Sequence, residues 1–223
     1  MKSYFDKSYY LPVQKYRGKI EHIHYPCYAS LKLDGELTYI IKKGEKILSV
    51  NKAKYGRWRF DYPALNEFAQ LDLEDGIYLA ELFWNEGRTK EDFYGFLSRR
   101  ESDELNLGLW GVLETKSKKD FITEETYRFL SSLKNKVKEF KHLIIVPFWF
   151  VKSVEELSCL AKQILSEGWE GLVVRNVNAI YREGQSINWI KIKRKEREIE
   201  EKERNEEDTE EIVEEITKEI VRI

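Results

Sequence analysis

Sulfur is nearly absent from this chain of 223 residues, which has two cysteines and one methionine. Cys27 and Cys159 are too few for a disulfide framework and too far apart for a CxxC metal or redox pair, so each is expected to be a small core residue. Histidine is equally scarce. His22, His24 and His142 offer one HxH and no second ligand pair, so any metal should be a hard cation held by oxygen. No apolar run approaches the roughly 20 residues that a bilayer crossing needs, and the start, MKSYFDKSYY, lacks the apolar stretch of a secretory signal. The expectation is a soluble, cytoplasmic protein with no membrane partner.

What is present is a globular composition: 42% hydrophobic, 35% charged and 13% aromatic, enough for one good core or two small ones. The heavy use of Lys and Glu resembles a thermophile's surface. Net charge is -2, but the sum hides a division. Residues 194–223 hold 7 basic and 13 acidic side chains, which leaves residues 1–193 at +4. Two parts follow: a mildly basic domain over 1–193, and an acidic tail over 194–223. The tail opens as a charged connector and closes with Ile212, Val213, Ile216, Ile220 and Ile223 at helical spacing. Such a stripe needs a surface to bury it, on its own domain or on a second copy; we expect a homodimer through this helix.

Along the body, period-two alternation predicts strands at Cys27–Lys32, LTYII (37–41), GIYLAELF (76–83), LNLGLWGVL (105–113), LIIVPFWF (143–150), EGLVVRN (170–176) and NWIKIK (188–193). Asp34-Gly35 reads as a hairpin turn between the first two. Helices are expected at 62–71, with Pro63 near its first position, at 89–97, at 123–140, and after a capping box from Ser153 to Glu156, ending near Gly168. Hairpins followed by helices, without regular βαβ spacing, give an α+β fold of largely antiparallel sheets flanked by helices.

Three local features could carry chemistry. In Ser30-Leu-Lys-Leu-Asp-Gly35, Lys32 sits on the strand face opposite Ala29 and Leu31, before a tight turn; it is a candidate nucleophile or a surface lysine. An ordinary lysine titrates near 10.4, so freeing its amine at pH 7 costs about 4 to 5 kcal/mol unless neighbouring cations help. In Asn188-Trp-Ile-Lys-Ile-Lys193, Lys191 and Lys193 share a face with Trp189, either as a phosphate clamp or as protection of an edge strand. Glu81 ends a strand whose same face carries Ile77 and Leu79, and Glu170 opens another; a carboxylate on an apolar face needs a partner. A lysine nucleophile, a lysine pair and carboxylates together outline covalent nucleotidyl transfer, with amine attack on an α-phosphate and departure of pyrophosphate.

At this point residues 25–193 resemble the covalent nucleotidyltransferase superfamily of ATP-dependent DNA ligases, RNA ligases and mRNA capping guanylyltransferases. Lys32-Leu-Asp-Gly35 resembles the KxDG nucleophile motif, and LSVNKAKYGRWRFDYPAL the segment after it. Asp75 to Glu81 is similar to the motif whose Glu binds ribose. Leu109-Trp-Gly-Val-Leu113 falls where an aromatic stacks on the base, and Glu170 to Arg175 and Trp189 to Lys193 match the last two motifs, with Tyr181 and Gly184 between. The chain departs from the pattern where DNA ligases often carry arginine, at Leu37 and Val50, and only 30 residues follow Lys193, too few for the usual OB-fold domain.

The resemblance implies an adenylation domain and an ATP-dependent polynucleotide ligase of DNA-ligase type that forms lysyl-AMP at Lys32 and seals 5'-phosphate to 3'-hydroxyl ends, as in DNA repair. It implies Lys32, Lys191 and Lys193 as catalytic; Lys32, Glu81, Trp110, Glu170, Lys191 and Lys193 as ATP-binding; and Glu170 and Asp34 as ligands of Mg2+ or Mn2+. RNA ligation, GTP-dependent capping-type guanylyl transfer and a non-catalytic nucleotide- or nucleic-acid-binding subunit are the alternatives. DNA or RNA with 5'-phosphate ends is the expected partner, contacted through Lys52, Lys54, Arg57 and Arg59, with Arg88, Arg99 and Arg100 next and Tyr55 and Trp58 interleaved. A partner protein supplying the OB-fold function is the other way to complete the molecule.

Overall fold

A computed structural model describes residues 11–51, 58–59, 61–84 and 105–193. Its elements are strands β1 (Gln14–Gly18), β2 (Cys27–Leu31), β3 (Gly35–Lys43), β4 (Lys46–Asn51), β5 (Trp58–Arg59), β6 (Gly76–Phe83), β7 (Asn106–Thr115), β8 (Leu143–Ile145), β9 (Phe148–Val151), β10 (Gly171–Asn176) and β11 (Gly184–Lys193), with helices α1 (Pro63–Ala69), α2 (Thr123–Val137) and α3 (Val154–Ser166). The expected α+β class with largely antiparallel sheets is what forms. The helix expected at 89–97 and the tail helix lie outside the described residues.

The chain divides into two compact units. The first, built on residues 34–121 and 125–146, holds a six-stranded sheet in the order β5-β4-β3-β6-β7-β8. Its centre is apolar on both faces: Tyr39, Ile40, Ile41, Ile77, Tyr78, Leu79, Leu107 and Leu109 are all buried, each worth about 1.5 to 3 kcal/mol if large and fully removed from water. Pro63 starts α1 because its missing N–H is not needed there, and Ala64, Leu65 and Phe68 turn inward at helical spacing. The Glu67 carboxylate of α1 accepts hydrogen bonds from the backbone N–H groups of Lys141, His142 and Leu143, at 2.9, 2.8 and 2.7 Å, and so holds the entry to β8.

The second unit, built on residues 14–33, 122–124 and 147–193, holds a five-stranded sheet in the order β1-β11-β10-β2-β9. On one face Ala29, Leu31, Leu172, Val174, Ile190 and Ile192 are buried. Helix α3 packs against β10, burying Leu157, Ala161, Ile164 and Leu165. Ser153 caps it, its hydroxyl accepting from the Glu156 N–H at 3.3 Å. The reciprocal half of the expected box is shifted: Glu156 accepts from the N–H of Lys152, one residue earlier than a capping box would have it. Gly168 follows the helix at φ +86, the left-handed stop expected there.

Several readings change. LIIVPFWF is two strands, β8 and β9, in different units, because Pro147 between them has no N–H to continue a ladder. Asp34-Gly35 is no hairpin turn: β2 and β3 belong to different sheets, and the dipeptide carries the chain from one unit to the other. Gly35 is required for a different reason. It pairs with Phe83, and a Cβ there would lie 2.3 Å from the Leu82 carbonyl oxygen and 2.9 Å from Glu81 Cγ. The tight hairpin lies instead between β3 and β4, at Gly44 with φ +57. Helix α2 ends at Val137 rather than at residue 140. Cys27 is buried as expected, but Cys159 is exposed on α3, so it is not a core residue.

Candidate nucleotidyl-transfer site

The face of the second sheet opposite its apolar side is fixed by register. Tyr28, Ser30 and Lys32 share it by alternation; Val173 and Arg175 of β10 lie across from Ser30 and Tyr28, and Lys191 and Trp189 of β11 lie across from those. The row continues at Lys32, whose N–H donates to the Gly171 carbonyl at 2.9 Å, with Lys193 paired to Gly171 on the far side. Lys32 and Lys193 therefore stand two strands apart, about 10 Å between backbones. Gly171 between them has φ +142 and no room for a side chain, since a Cβ would meet the Ile192 carbonyl oxygen at 2.0 Å.

The ammonium of Lys32 forms an ion pair with the Glu170 carboxylate. Side-chain exposures of 18% and 30% leave both groups reachable from solvent, yet shielded enough for the pair to be ordered. The expected crowding of Lys32 by two ammoniums takes another form. Its contact is a carboxylate, while the Lys191 ammonium lies 4.9 Å over the Tyr16 ring. Lys191 and Lys193 occupy the end of β11 beyond Ile190, the last residue paired with β1; β11 itself lies between β1 and β10. Lys191 is exposed and Lys193 half-buried.

The sequence reading gave no role to the charged group that this face buries. Arg175 is 4% exposed, its Nη1 donates to the Ser30 hydroxyl, and its guanidinium lies 4.5 Å from the centre of the Trp189 ring. Trp189 in turn packs on Tyr16 and Tyr181, with ring centres at 5.3 and 5.5 Å. The signal was present: an arginine inside GLVVRN is as anomalous as the carboxylate in GIYLAEL.

In the first unit, Glu81 is half-buried on β6, on the face of the buried Ile77 and Leu79. Trp110 is 6% exposed and sits at a bulge of β7, where Leu109 and Gly111 pair with successive residues of β6. Asp34 is exposed in the crossing segment. Lys52, Lys54, Tyr55, Arg57, Arg88, Arg99 and Arg100 lie outside the described residues, as do the side chains of Trp58 and Arg59, whose backbone forms β5. Among the described residues no three His, Cys, Asp or Glu side chains gather to hold a metal ion. No described helix is long and apolar enough to cross a membrane.

The fold and the lysine-bearing face define a class, and comparison with known proteins states it. The ATP dependent DNA ligase domain family matches residues 13–193, and the chain belongs to that family. Among solved structures it is similar to the Chlorella virus DNA ligase-adenylate, with 17% identity over 83% of this chain and 68% of that one, and a TM-score of 0.59. It is likewise similar to the ATP-dependent DNA ligase of bacteriophage T7 in complex with ATP, with 19% identity over 82% and 68%, and a TM-score of 0.59. Against the Pmar-Lig structure the TM-score is 0.67 at 13% identity, over 82% of this chain but 46% of that one. The chain thus spans about half the length of that ligase. No curated protein matches it in sequence.

Proposed function

We propose that this chain is an ATP-dependent polynucleotide ligase acting on DNA, with Lys32 as the nucleophile. The observation that carries the proposal is the row Lys32, Gly171, Lys193 across three strands, with Glu170 paired to the Lys32 ammonium. With no side chain on Gly171 between them, the two lysines flank one stretch of backbone, where a phosphate can meet both amines. Lys32, once deprotonated, attacks the α-phosphorus of ATP; the Nζ–P bond forms, the bond to the leaving oxygen breaks, and pyrophosphate departs. Lys193 and Lys191 stabilise the charge on the transferred phosphate. AMP then passes to a 5'-phosphate, and attack by a 3'-hydroxyl releases AMP and closes the strand. For Glu81 we propose hydrogen bonding to ribose, and for Trp110 packing on the base.

A divalent ion fits this donor set in a limited way. Mg2+ or Mn2+ keeps several waters and needs only one or two protein carboxylates besides substrate phosphates, and Glu170 offers a carboxylate beside Lys32 whose Oε2 is buried in the ion pair. Glu170 would hold it, and the ion would supply neutralisation of phosphate charge.

The test is incubation of the full chain with α-labelled ATP and Mg2+. The expected result is label on the wild type and none on Lys32→Ala; equal labelling of the two proteins overturns the assignment. Label from GTP in place of ATP would point to guanylyl transfer instead. Pre-adenylylated protein offered nicked DNA, nicked RNA and single-stranded ends then separates DNA from RNA joining, with nicked DNA the expected substrate.

A further inference from the structure

Strand β9 pairs with β2 on one side and ends the five-strand order, so its other edge is open among the described residues. Soluble proteins commonly guard such an edge with lysine or proline inside the strand. Here Pro147 precedes the strand, and the strand itself, FWFV, carries no charge. Alternation puts Phe148 and Phe150 on one face and Trp149 and Val151 on the other. Register decides which face that is. Phe148 lies across from Ser30 and Phe150 across from Tyr28, so both extend the face that carries Lys32.

Three rings gather there. The centre of the Tyr28 ring is 5.0 Å from that of Phe150, with the planes at 58°, and 6.5 Å from that of Phe148, with the planes at 61°. Tyr28 and Phe148 are half-buried, whereas Phe150 is 47% exposed. Packing against Tyr28 thus orients the Phe150 ring and leaves about half of it in water.

Size narrows the kind of partner. Half of a phenylalanine side chain is on the order of 100 Å2, against roughly 800 Å2 on each side of a stable protein interface. One base can cover a patch of that size, because every base has a π-face. Charge adds little at this end. Lys152 follows the strand and is exposed, but so are Glu155 and Glu156 in the first turn of α3. What this end of the face offers a polynucleotide is a ring rather than a cation.

We propose that Phe150 stacks on an unpaired base of the polynucleotide substrate. The inference rests on the ligase reading and names the substrate class for it: ends with unpaired bases next to the 5'-phosphate. Lys32 lies four residues along from Tyr28, about 13 Å of extended chain. At the 3.4 Å rise of B-form DNA that is about four nucleotides, so the stacked base lies within that distance of the reacting phosphate. Bases inside a duplex already stack on their neighbours, and only an unpaired one has a face to give. Phe150 is separate from Trp110, which belongs to the first unit and, in the proposed reaction, to the base of ATP.

The experiment compares the full chain with Phe150→Leu, which keeps apolar bulk without a ring, and with Phe150→Trp, which keeps a stacking face. Anisotropy of a fluorescein-labelled duplex with a four-nucleotide 5' overhang, and of the same duplex made blunt, gives affinities across a salt series. Light scattering gives the mass per particle, and α-labelled ATP incorporation runs in parallel. Expected for Phe150→Leu is about five- to tenfold weaker binding of the overhang with blunt duplex unchanged. The salt slope should not move, because a ring releases no counterions. Phe150→Trp should bind the overhang at least as tightly as wild type. Equal affinity of wild type and Phe150→Leu for the overhang overturns the proposal, as does an equal loss on both duplexes or a Trp variant as weak as the Leu one. A fall in particle mass for Phe150→Leu with overhang binding intact also overturns it and assigns the ring to a second copy. Label incorporation should be the same in all three proteins. An unlabelled wild type would remove the ligase reading, while the ratio of overhang to blunt affinity would still decide the stacking.

Discussion

The guanidinium of Arg175 lies 4.5 Å over the Trp189 ring while its Nη1 donates to the hydroxyl of Ser30, two residues before Lys32. Three neighbouring strands, β11, β10 and β2, are thereby tied on the face that presents Lys32. Buried cation–π contact and a charge-assisted hydrogen bond together predict that Arg175→Met costs about 2 to 4 kcal/mol. Arg175→Lys should recover less than half of it, because an ammonium cannot lie flat on the indole and reach Ser30 together. Urea midpoints measure this; a midpoint for Arg175→Met equal to wild type would show that the contact does not stabilise the sheet.

Gly35 offers a sharper separation of stability from function. A Cβ at this position collides with the Leu82 carbonyl and with Glu81 Cγ, so Gly35→Ala should displace Glu81 and cut ATP labelling by about tenfold or more while costing about 1 to 3 kcal/mol. The control is Gly44→Ala at the β3–β4 turn. There φ is +57 with nothing within 4 Å, so a cost of about 1 kcal/mol from the left-handed backbone and full labelling are expected. Equal labelling by both variants would dissociate Gly35 from ATP binding.

Glu67 anchors the entry to β8. It takes three backbone N–H groups from residues 141–143, and Glu67→Gln keeps one accepting oxygen but loses the charge. We expect a loss of about 1 to 3 kcal/mol and faster hydrogen exchange at His142 and Leu143. Unchanged exchange at those amides would contradict the anchoring role.

The cysteines should separate by reactivity. Burial pushes the Cys27 thiol from 9.0 up to about 12, whereas Cys159 is exposed. At pH 8 a thiol reagent should titrate one group per native chain and two after unfolding. The sign of the pH effect follows. Below pH 9 the thiol is neutral in both states and costs nothing; between about 9 and 12 the unfolded thiol ionises and the native one does not, so stability falls as pH rises through that window. Two thiols reacting at one rate in the native chain would refute the burial of Cys27.

Much of the site was legible in local sequence because alternation in a strand is a property of the backbone alone. Cys27 to Lys32 and Trp189 to Lys193 could be assigned to faces without knowing their partners, and the register places both sets of polar residues on one face. The capping serine of α3 and the proline at the start of α1 were readable for the same reason, since caps satisfy groups within one turn.

What the sequence by itself determined was thus which residues alternate, where helices begin and which motifs recur. Only the tertiary structure decided that Pro147 divides a hydrophobic run between two sheets, that Asp34-Gly35 is a crossing rather than a turn, that Glu170 partners Lys32, and that Arg175 is buried against Trp189. Pairing between strands more than a hundred residues apart depends on burial and hydrogen-bond satisfaction summed over the whole chain, and no local window carries that sum.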